Sequence, residues 1–472
     1  MTIKILPLCV DLDGTLVATD TLWESIMLLL RNSPWLIFWF PFWLVKGRAY
    51  LKHKIAHCVT LDVTLLPYRD NVWEFLQQEQ AKGHRLILVT AANEKIALAV
   101  AHHLRIFEEV IASDAHTNMK GTTKHQALSQ RFGEYDYMGD SMADLPLFRA
   151  ARRYFLVAPS RRLLKQLPCP PERLFQVPSL NLWLWLKALR PHQWIKNILV
   201  FIPLILSHQF LDGSKLTAAL LAFFAFGLAA SAGYILNDLL DLAADRIHVT
   251  KKHRPFASGQ LPLPYGLPLF ATLVLLGAFI SLMWLPRDFT AVLGLYLLTT
   301  LFYSFYLKRK LILDIVVLAG LYTIRIIAGA LAVSLSISFW LLTFSMFIFI
   351  SLAFLKRYIE LLQLTDRKSL KHRNYRVDDI EMIASFGPMS GYLAVLVFCL
   401  YINSAAVTKL YHEPSLLWLM VPFLLYWITR IWFLAKRQQL TDDPVQFAMT
   451  DEVSWYIVGG IVILLLIAKF LF

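Results

Sequence analysis

From about residue 195 onward the chain is a series of apolar runs separated by short charged loops, and no other feature limits its fold as tightly. A bilayer core roughly 30 Å thick is crossed by about 20 apolar residues in helical form. Lipid offers no hydrogen bonds to exposed backbone, so a run of that length closes its own bonds as a helix. Nine runs are long enough, at about 195–211, 215–237, 264–284, 288–306, 312–332, 337–356, 385–408, 414–435 and 454–472. The hydrophobic fraction of 57% and charged fraction of 17% fit a chain largely surrounded by lipid. The net charge of +13 does not argue for nucleic acid, because the cations flank apolar runs. Loops after the second, fourth, sixth and eighth runs hold about 16 Lys and Arg, against about 3 in the alternate loops. That asymmetry predicts a multi-pass protein of the cytoplasmic (inner) membrane. The rich loops and the N-terminal domain would be cytoplasmic, and Phe472 external. The four cysteines are scattered and read as packing residues. No basic flank or cleavage site marks a signal peptide.

Residues 1–160 mix charged and apolar residues as a soluble domain does. Strand-like segments at Ile5–Val10, Arg85–Thr90, Glu109–Ala112 and Tyr135–Met138 alternate with helical patterns, which predicts a parallel, doubly wound sheet. Four prolines between Ser160 and Ser179 suggest a linker, and Leu180–Leu189, with two tryptophans beside Lys187, suggests an interfacial helix. The expected division is 1–160, 161–188 and 189–472. The apolar run Ile26–Val45 is interrupted by Arg31, Asn32, Pro34 and Pro41. Crossing there would separate the first strand from the rest of its domain. The run therefore reads as part of a small helical cap, at about 20–80, that touches or dips into the membrane surface.

Asp11-Leu12-Asp13-Gly14-Thr15 follows the first strand directly. Two carboxylates two residues apart at a strand end can share one magnesium, or divide labour as nucleophile and acid/base. Thr90 ends the next strand segment, Lys124 opens a helix after Lys120-Gly121, and Gly139-Asp140-Ser141-x-x-Asp144 follows a third strand. Four such motifs in this order resemble the haloacid dehalogenase (HAD) superfamily of aspartate-nucleophile phosphohydrolases. The resemblance implies a Rossmann-like α/β fold. Asp11 would be the nucleophile and Asp13 the acid/base. Thr90 and Lys124 would hold phosphoryl oxygens, with Lys120 an alternative to Lys124. Asp11, Asp13 and Asp140 would bind magnesium, and Asp144 would support that site or orient Lys124.

The second apolar run ends in Asn237-Asp238-Leu-Leu-Asp241-Leu-Ala-Ala-Asp245. On a helix, Asn237, Asp241 and Asp245 lie four apart on one stripe, with Asp238 beside them. Acids so placed repel unless a cation joins them, and acids near membrane depth mark function. Magnesium takes oxygen ligands and bridges to phosphates. This NDxxDxxxD pattern on nine spans resembles the UbiA-type intramembrane transferases. Most members carry a second motif, DxxxD, in the loop after the sixth span, and this chain lacks it. That loop begins instead with Lys356-Arg357-Tyr358-Ile359-Glu360. Together with Arg190-Pro191-His192-Gln193-Trp194-Ile195-Lys196-Asn197, Arg254, Tyr303, Lys308 and Arg325, this looks closest to the decaprenyl-phosphate phosphoribosyltransferases. The resemblance implies transfer of 5-phosphoribose from phosphoribosyl pyrophosphate to a polyprenyl phosphate. Asn237, Asp238, Asp241 and Asp245 would hold magnesium, with Glu360 as a further ligand or substrate contact. Lys196, Arg254, Tyr303, Lys308, Arg325, Lys356 and Arg357 would bind the polyanionic substrates.

The expected architecture is thus an α/β HAD-like domain followed by an all-α membrane domain of nine helices. The expected activity is bifunctional: the transferase makes a ribosylated lipid, and the phosphatase removes its 5-phosphate. Two other readings stay open at this point. One is a prenyl diphosphate–aromatic prenyltransferase beside an independent phosphatase. The other is a non-catalytic scaffold or transporter fused to a phosphatase. The sequence does not set the oligomeric state.

Overall fold

The computed structural model describes residues 6–177, 181–363, 374–440 and 443–470. Two compact units emerge, Met1–Leu189 with Tyr234–Phe270, and Arg190–Gly233 with Ala271–Phe472. Tyr234–Phe270, which the sequence reading assigns to the membrane domain, therefore packs in the first unit.

Among its described residues, the first unit is built on six parallel strands, β1 (Leu8–Val10), β2 (Leu86–Asn93), β3 (Glu109–Ser113), β4 (Asp136–Gly139), β5 (Tyr154–Val157) and β6 (Arg173–Phe175). Their spatial order is β3-β2-β1-β4-β5-β6. Side chains alternate across the sheet. Leu8, Val10, Leu86 and Leu88 enter one apolar cluster, and Cys9, Ile87, Val89 and Tyr137 enter the other. Both faces are covered, as a parallel sheet requires. The expected linker is partly sheet, since β6 pairs with β5 in register Leu156 to Leu174. The strand order reverses at β1, between β2 and β4, and such a switch point opens a crevice at the strands' carboxyl ends. Asp11 and Asp140 immediately follow β1 and β4 there.

The run Ile26–Val45 is not one helix. Thr21–Asn32 is capped by Asp20, whose carboxylate accepts from the Leu22 and Trp23 amides at 2.9 and 3.1 Å. The chain breaks at Ser33-Pro34, then continues as a 3₁₀ turn, Pro34–Trp39, and a short helix, Phe40–Val45. Pro34 and Pro41 withhold the amides a continuous helix would need.

Among the described residues, eight helices are long and apolar enough to cross a membrane. They are Gly213–Leu240, Leu263–Trp284, Arg287–Phe305, Leu313–Ala332, Phe339–Leu362, Val377–Ile402, Pro414–Lys436 and Glu452–Phe470. The first expected run, 195–211, is the exception. It is an 11-residue 3₁₀ stretch, Pro191–Phe201, followed by the helix Ile202–Leu206. Pro191 and Pro203 again remove amide donors, and Lys196 and Asn197 are buried in polar contacts. The seventh run begins earlier than expected, at Val377, and breaks near Ser404. Phe472, expected outside, lies beyond the described residues.

Within the second unit Leu313–Ala332 is central, with 67% of its apolar window buried, whereas Glu452–Phe470 has 17%. Small residues allow close packing in such bundles. A Cβ at Gly387 would stand 2.1 Å from the Trp432 ring, and one at Gly329 would stand 2.0 Å from the Val200 carbonyl oxygen.

Candidate active sites

The first site gathers at the sheet's switch point. Lys124, only 1% exposed, reaches Asp11 Oδ1 at 3.1 Å and Asp144 Oδ1 at 3.3 Å. Ser141 Oγ donates to the other oxygen of Asp144 at 3.0 Å. Lys120 lines the same cavity but does not make these bonds. Asp11, Asp140 and Asp144 bring carboxylate oxygens within 4.8 Å of one another. Gly14 makes this approach feasible: at φ +76° it sits so near Asp140 that a Cβ would lie 2.2 Å from Oδ2. An all-oxygen donor set of this kind fits a hard divalent cation. Asp13, expected among the ligands, instead accepts the Thr21 amide at 2.8 Å, and the compact acidic group is completed by Asp144. Thr90 is fully buried, and its hydroxyl oxygen accepts the Ala92 amide at 3.0 Å.

Electrostatics separate the acids. Burial, and then the Asp144 charge, push Asp11 up to about 6 against the pull of Lys124. Burial, with Asp11 and Asp144 adding to it, pushes Asp140 up to about 8. Asp13 is raised well above the usual carboxylate range by burial and by Asp20. A carboxyl that holds its proton more tightly than its neighbour is suited to general-acid work. The cavity over these groups has a volume of about 390 Å³. Lys52 and Arg69 also line it, and sequence reasoning missed both. Lys52 Nζ donates to the Ala91 carbonyl at 2.7 Å and to Asn118 Oδ1 at 3.1 Å. Arg69 Nε donates to the Gly14 carbonyl at 3.2 Å.

The second acidic group occupies the end of Gly213–Leu240. The helix is interrupted at Asp241 and resumes as Leu242–Ile247. The four-residue spacing survives the break, since the Asp241 amide bonds Asn237 O at 3.0 Å and the Asp245 amide bonds Asp241 O at 2.8 Å. Arg254, expected to grip substrate, is engaged by these acids. Its Nη1 lies 3.1 Å from Asp238 Oδ1 and 2.6 Å from Asp245 Oδ2. Two buried carboxylates thus address a single positive centre, and their oxygen donors suit magnesium.

The cations of the second unit are also paired. Lys196 and Lys356 converge on Asp443 Oδ2 at 2.9 and 2.8 Å. Burial would raise Asp443, but the two ammonium groups outweigh it and hold this acid well below the usual range. Arg357 is fully buried, bonded to Asp314 at 2.7 Å and to Glu360, with Tyr303 OH at 3.4 Å. Tyr375 OH donates to Asp314 at 2.6 Å. Arg325 donates to Asn197 at 2.9 Å, Tyr296 OH at 3.0 Å and the Leu321 carbonyl. Lys308 is buried. Asp443 was not foreseen. Its one signal was position, an acid before Pro444 that caps the next helix through the Val445 amide.

Comparison with known proteins matches two stretches of the chain to two families. The model of the UbiA prenyltransferase family matches residues 199–465, and that of haloacid dehalogenase-like hydrolase matches residues 8–149. An uncharacterized protein, y4nM, of Sinorhizobium fredii is 37% identical over 466 residues, 96% of this chain and 89% of the relative. Nodulation protein NoeC of Azorhizobium caulinodans is 35% identical over 58% of this chain and 90% of its own length. The decaprenyl-phosphate phosphoribosyltransferase of Mycolicibacterium smegmatis is 37% identical over 196 residues, 40% of this chain and 60% of that protein.

Proposed function

The chain belongs to the UbiA prenyltransferase family and carries a HAD-like hydrolase domain; from that premise we propose that it transfers 5-phosphoribose from phosphoribosyl pyrophosphate to a polyprenyl phosphate and then removes the 5-phosphate from the lipid product. It is an integral, multi-pass membrane enzyme, a transferase joined to a phosphatase. The observation that carries the sequential reading is that one compact unit holds both the Asp11–Lys124 cluster and the acidic helix end Asn237–Asp245. The phosphoribosyltransferase relatives favour a phosphosugar donor over an aromatic acceptor. The missing DxxxD agrees with that choice.

In transfer, an oxygen of the lipid phosphate attacks the anomeric carbon, and the bond from that carbon to pyrophosphate breaks. Asn237, Asp238, Asp241 and Asp245 would hold magnesium for this reaction, and Asp11 and Asp140 would hold it for hydrolysis; in both sites it would supply neutralisation of phosphate charge. Lys196, Lys356 and Arg357 supply charge-assisted hydrogen bonds once substrate oxygens replace their carboxylate partners. In hydrolysis, Asp11 attacks the phosphorus and forms an aspartyl-phosphate while Asp13 protonates the departing ribose oxygen. Asp13 then takes a proton from water, which attacks the same phosphorus and releases inorganic phosphate. Lys124 holds the phosphoryl oxygens. The excess of Lys and Arg in alternate loops supports a cytoplasmic side for both reactions. Consuming the phosphorylated lipid also opposes reversal of the transfer.

The test supplies ribose-labelled phosphoribosyl pyrophosphate and decaprenyl phosphate to the purified chain in lipid nanodiscs. Wild type should form the dephosphorylated ribosyl lipid. Asp11→Asn should accumulate the 5-phosphorylated lipid, with hydrolysis slowed at least about a thousandfold, or about 4 kcal/mol of barrier. Asp241→Asn should form neither. Identical products from wild type and Asp11→Asn would sink the phosphatase assignment, and absence of any labelled lipid would sink the transferase assignment.

A further inference from the structure

The cavity above Asp11 is not enclosed by the HAD-like fold alone. One side of it is formed by Gly259, Pro262, Leu263 and Pro264, from the segment that follows the acidic helix end. The seat of this segment is close and specific. Gly259 has φ +73°, and a Cβ there would lie 2.3 Å from the Ala18 carbonyl oxygen. Arg246 joins the segment to the cap. Its Nε donates to the Ala257 carbonyl at 2.8 Å, and its Nη2 and Nη1 meet the two oxygens of Glu24 at 2.5 and 3.2 Å. Leu263 is 1% exposed and begins the apolar helix Leu263–Trp284, which is long enough to cross a membrane.

We propose that residues 259–264 are a substrate-selecting wall of the phosphatase, and that the wall receives the ribose and linker of a membrane-anchored phosphomonoester. The inference rests on the phosphatase reading above and adds the residues that choose the substrate. Three observations converge on it. The phosphoryl-binding end, at Asp11 and Lys124, is charged and buried. The side formed by Pro262, Leu263 and Pro264 offers no charge and suits the faces of a sugar ring rather than a second phosphate. A cavity of about 390 Å³ takes a sugar phosphate but not a long isoprenoid. The lipid must therefore leave the cavity, and the wall is where the chain turns into an apolar helix of membrane-crossing length. A lipid-linked substrate can hold its phosphate at Asp11 while its tail stays in the bilayer. A freely diffusing phosphomonoester gains only part of these contacts.

The experiment uses the full chain in nanodiscs and compares two substrates, the purified lipid-linked ribose 5-phosphate and p-nitrophenyl phosphate. The quantity read is the ratio of their kcat/KM values. Wild type should favour the lipid by at least about tenfold. Leu263→Ala should lower the ratio about tenfold, mainly through KM, because a contact made equally in ground and transition states is lost. Pro264→Ala should lower it about threefold. Leu263→Met, which keeps the volume, should recover most of the loss. If Leu263→Ala does not fold, Pro264→Ala decides. A ratio that stays within twofold in these variants, whether or not both activities fall, would overturn the wall while leaving the phosphatase standing. A wild type that prefers the soluble substrate would also overturn it. A wild type that hydrolyses neither substrate would overturn the phosphatase reading and the wall together.

Discussion

Asp140 illustrates how a single backbone choice creates both a site and a liability. Only a residue without a Cβ fits at position 14, and the space so freed lets Asp140 approach Asp11 and Asp144. Without a cation the three acids repel, and burial holds Asp140 up to about 8 and Asp11 up to about 6. An unfolded aspartate titrates near 3.9. The folded, metal-free protein therefore binds more protons than the unfolded chain between about pH 4 and 8. Stability from these groups is fully present below the unfolded value and is lost as pH rises through 6 and then 8. A magnesium ion held there would bind the ionised acids, so its effect would run the other way. At a hundredfold excess over Kd it adds about 2.7 kcal/mol. The difference in thermal midpoint between magnesium and EDTA should be small at pH 5 and grow steadily to pH 8. A difference that is constant or shrinks with pH would contradict a metal site built on Asp11 and Asp140.

At the scale of elements the cap is the most informative piece. Its 3₁₀ turn and short helix carry Trp35, Phe38, Trp39, Phe42, Leu44 and Val45 exposed, Phe38 at 76% and Val45 at 89%. An exposed apolar patch of this kind marks a membrane or protein contact, and the breaks at Pro34 and Pro41 leave no helix of membrane-crossing length in it. A polarity-sensitive fluorophore at Phe38→Cys, with exposed Cys58 and Cys169 replaced by Ser, should report an apolar setting in nanodiscs, quenched by brominated lipid. A water-like spectrum without quenching would show that the cap does not touch the bilayer. Pattern made this element legible, as it did β1 to β4 and the later spans, because periodicity and proline placement are local facts. Where the reading stopped, the cause was non-local. β5 and β6 are four and three residues long and gain their stability from neighbours in the sheet. The first expected span looked apolar, yet Asn197 and Lys196 bond Arg325 and Asp443, which lie 128 and 247 residues away. The charged motif residues were visible because each follows a strand or lies at the start or end of a helix. Their partners, Asp443 and Glu24 among them, follow no spacing rule.

At the scale of the molecule, the first unit joins two chemistries through an unbroken series of contacts. Asp13 accepts the amide of Thr21, which opens the helix that carries Glu24. Glu24 binds Arg246, 222 residues later in the chain, and also accepts from Thr19 at 2.7 Å. Arg246 follows Asp245, which shares Arg254 with Asp238. The Glu24–Arg246 side chains are 3% and 9% exposed, so neither charge can be rescued by water if its partner is removed. Breaking a buried pair by deleting one member costs about 3–5 kcal/mol, whereas removing both leaves no stranded charge. Glu24→Gln and Arg246→Gln should each lower the thermal midpoint strongly, and the double variant should lose clearly less than the sum, with a coupling of about 0.5–3 kcal/mol. If the pair sets the position of both acidic groups, each single variant should also slow lipid ribosylation and 5-phosphate removal together, although neither residue lines the cavity over Asp11. Loss of one activity with the other intact would mean that the pair serves only one site. Strict additivity of the two substitutions would mean that the contact does not couple the cap to the acidic helix at all.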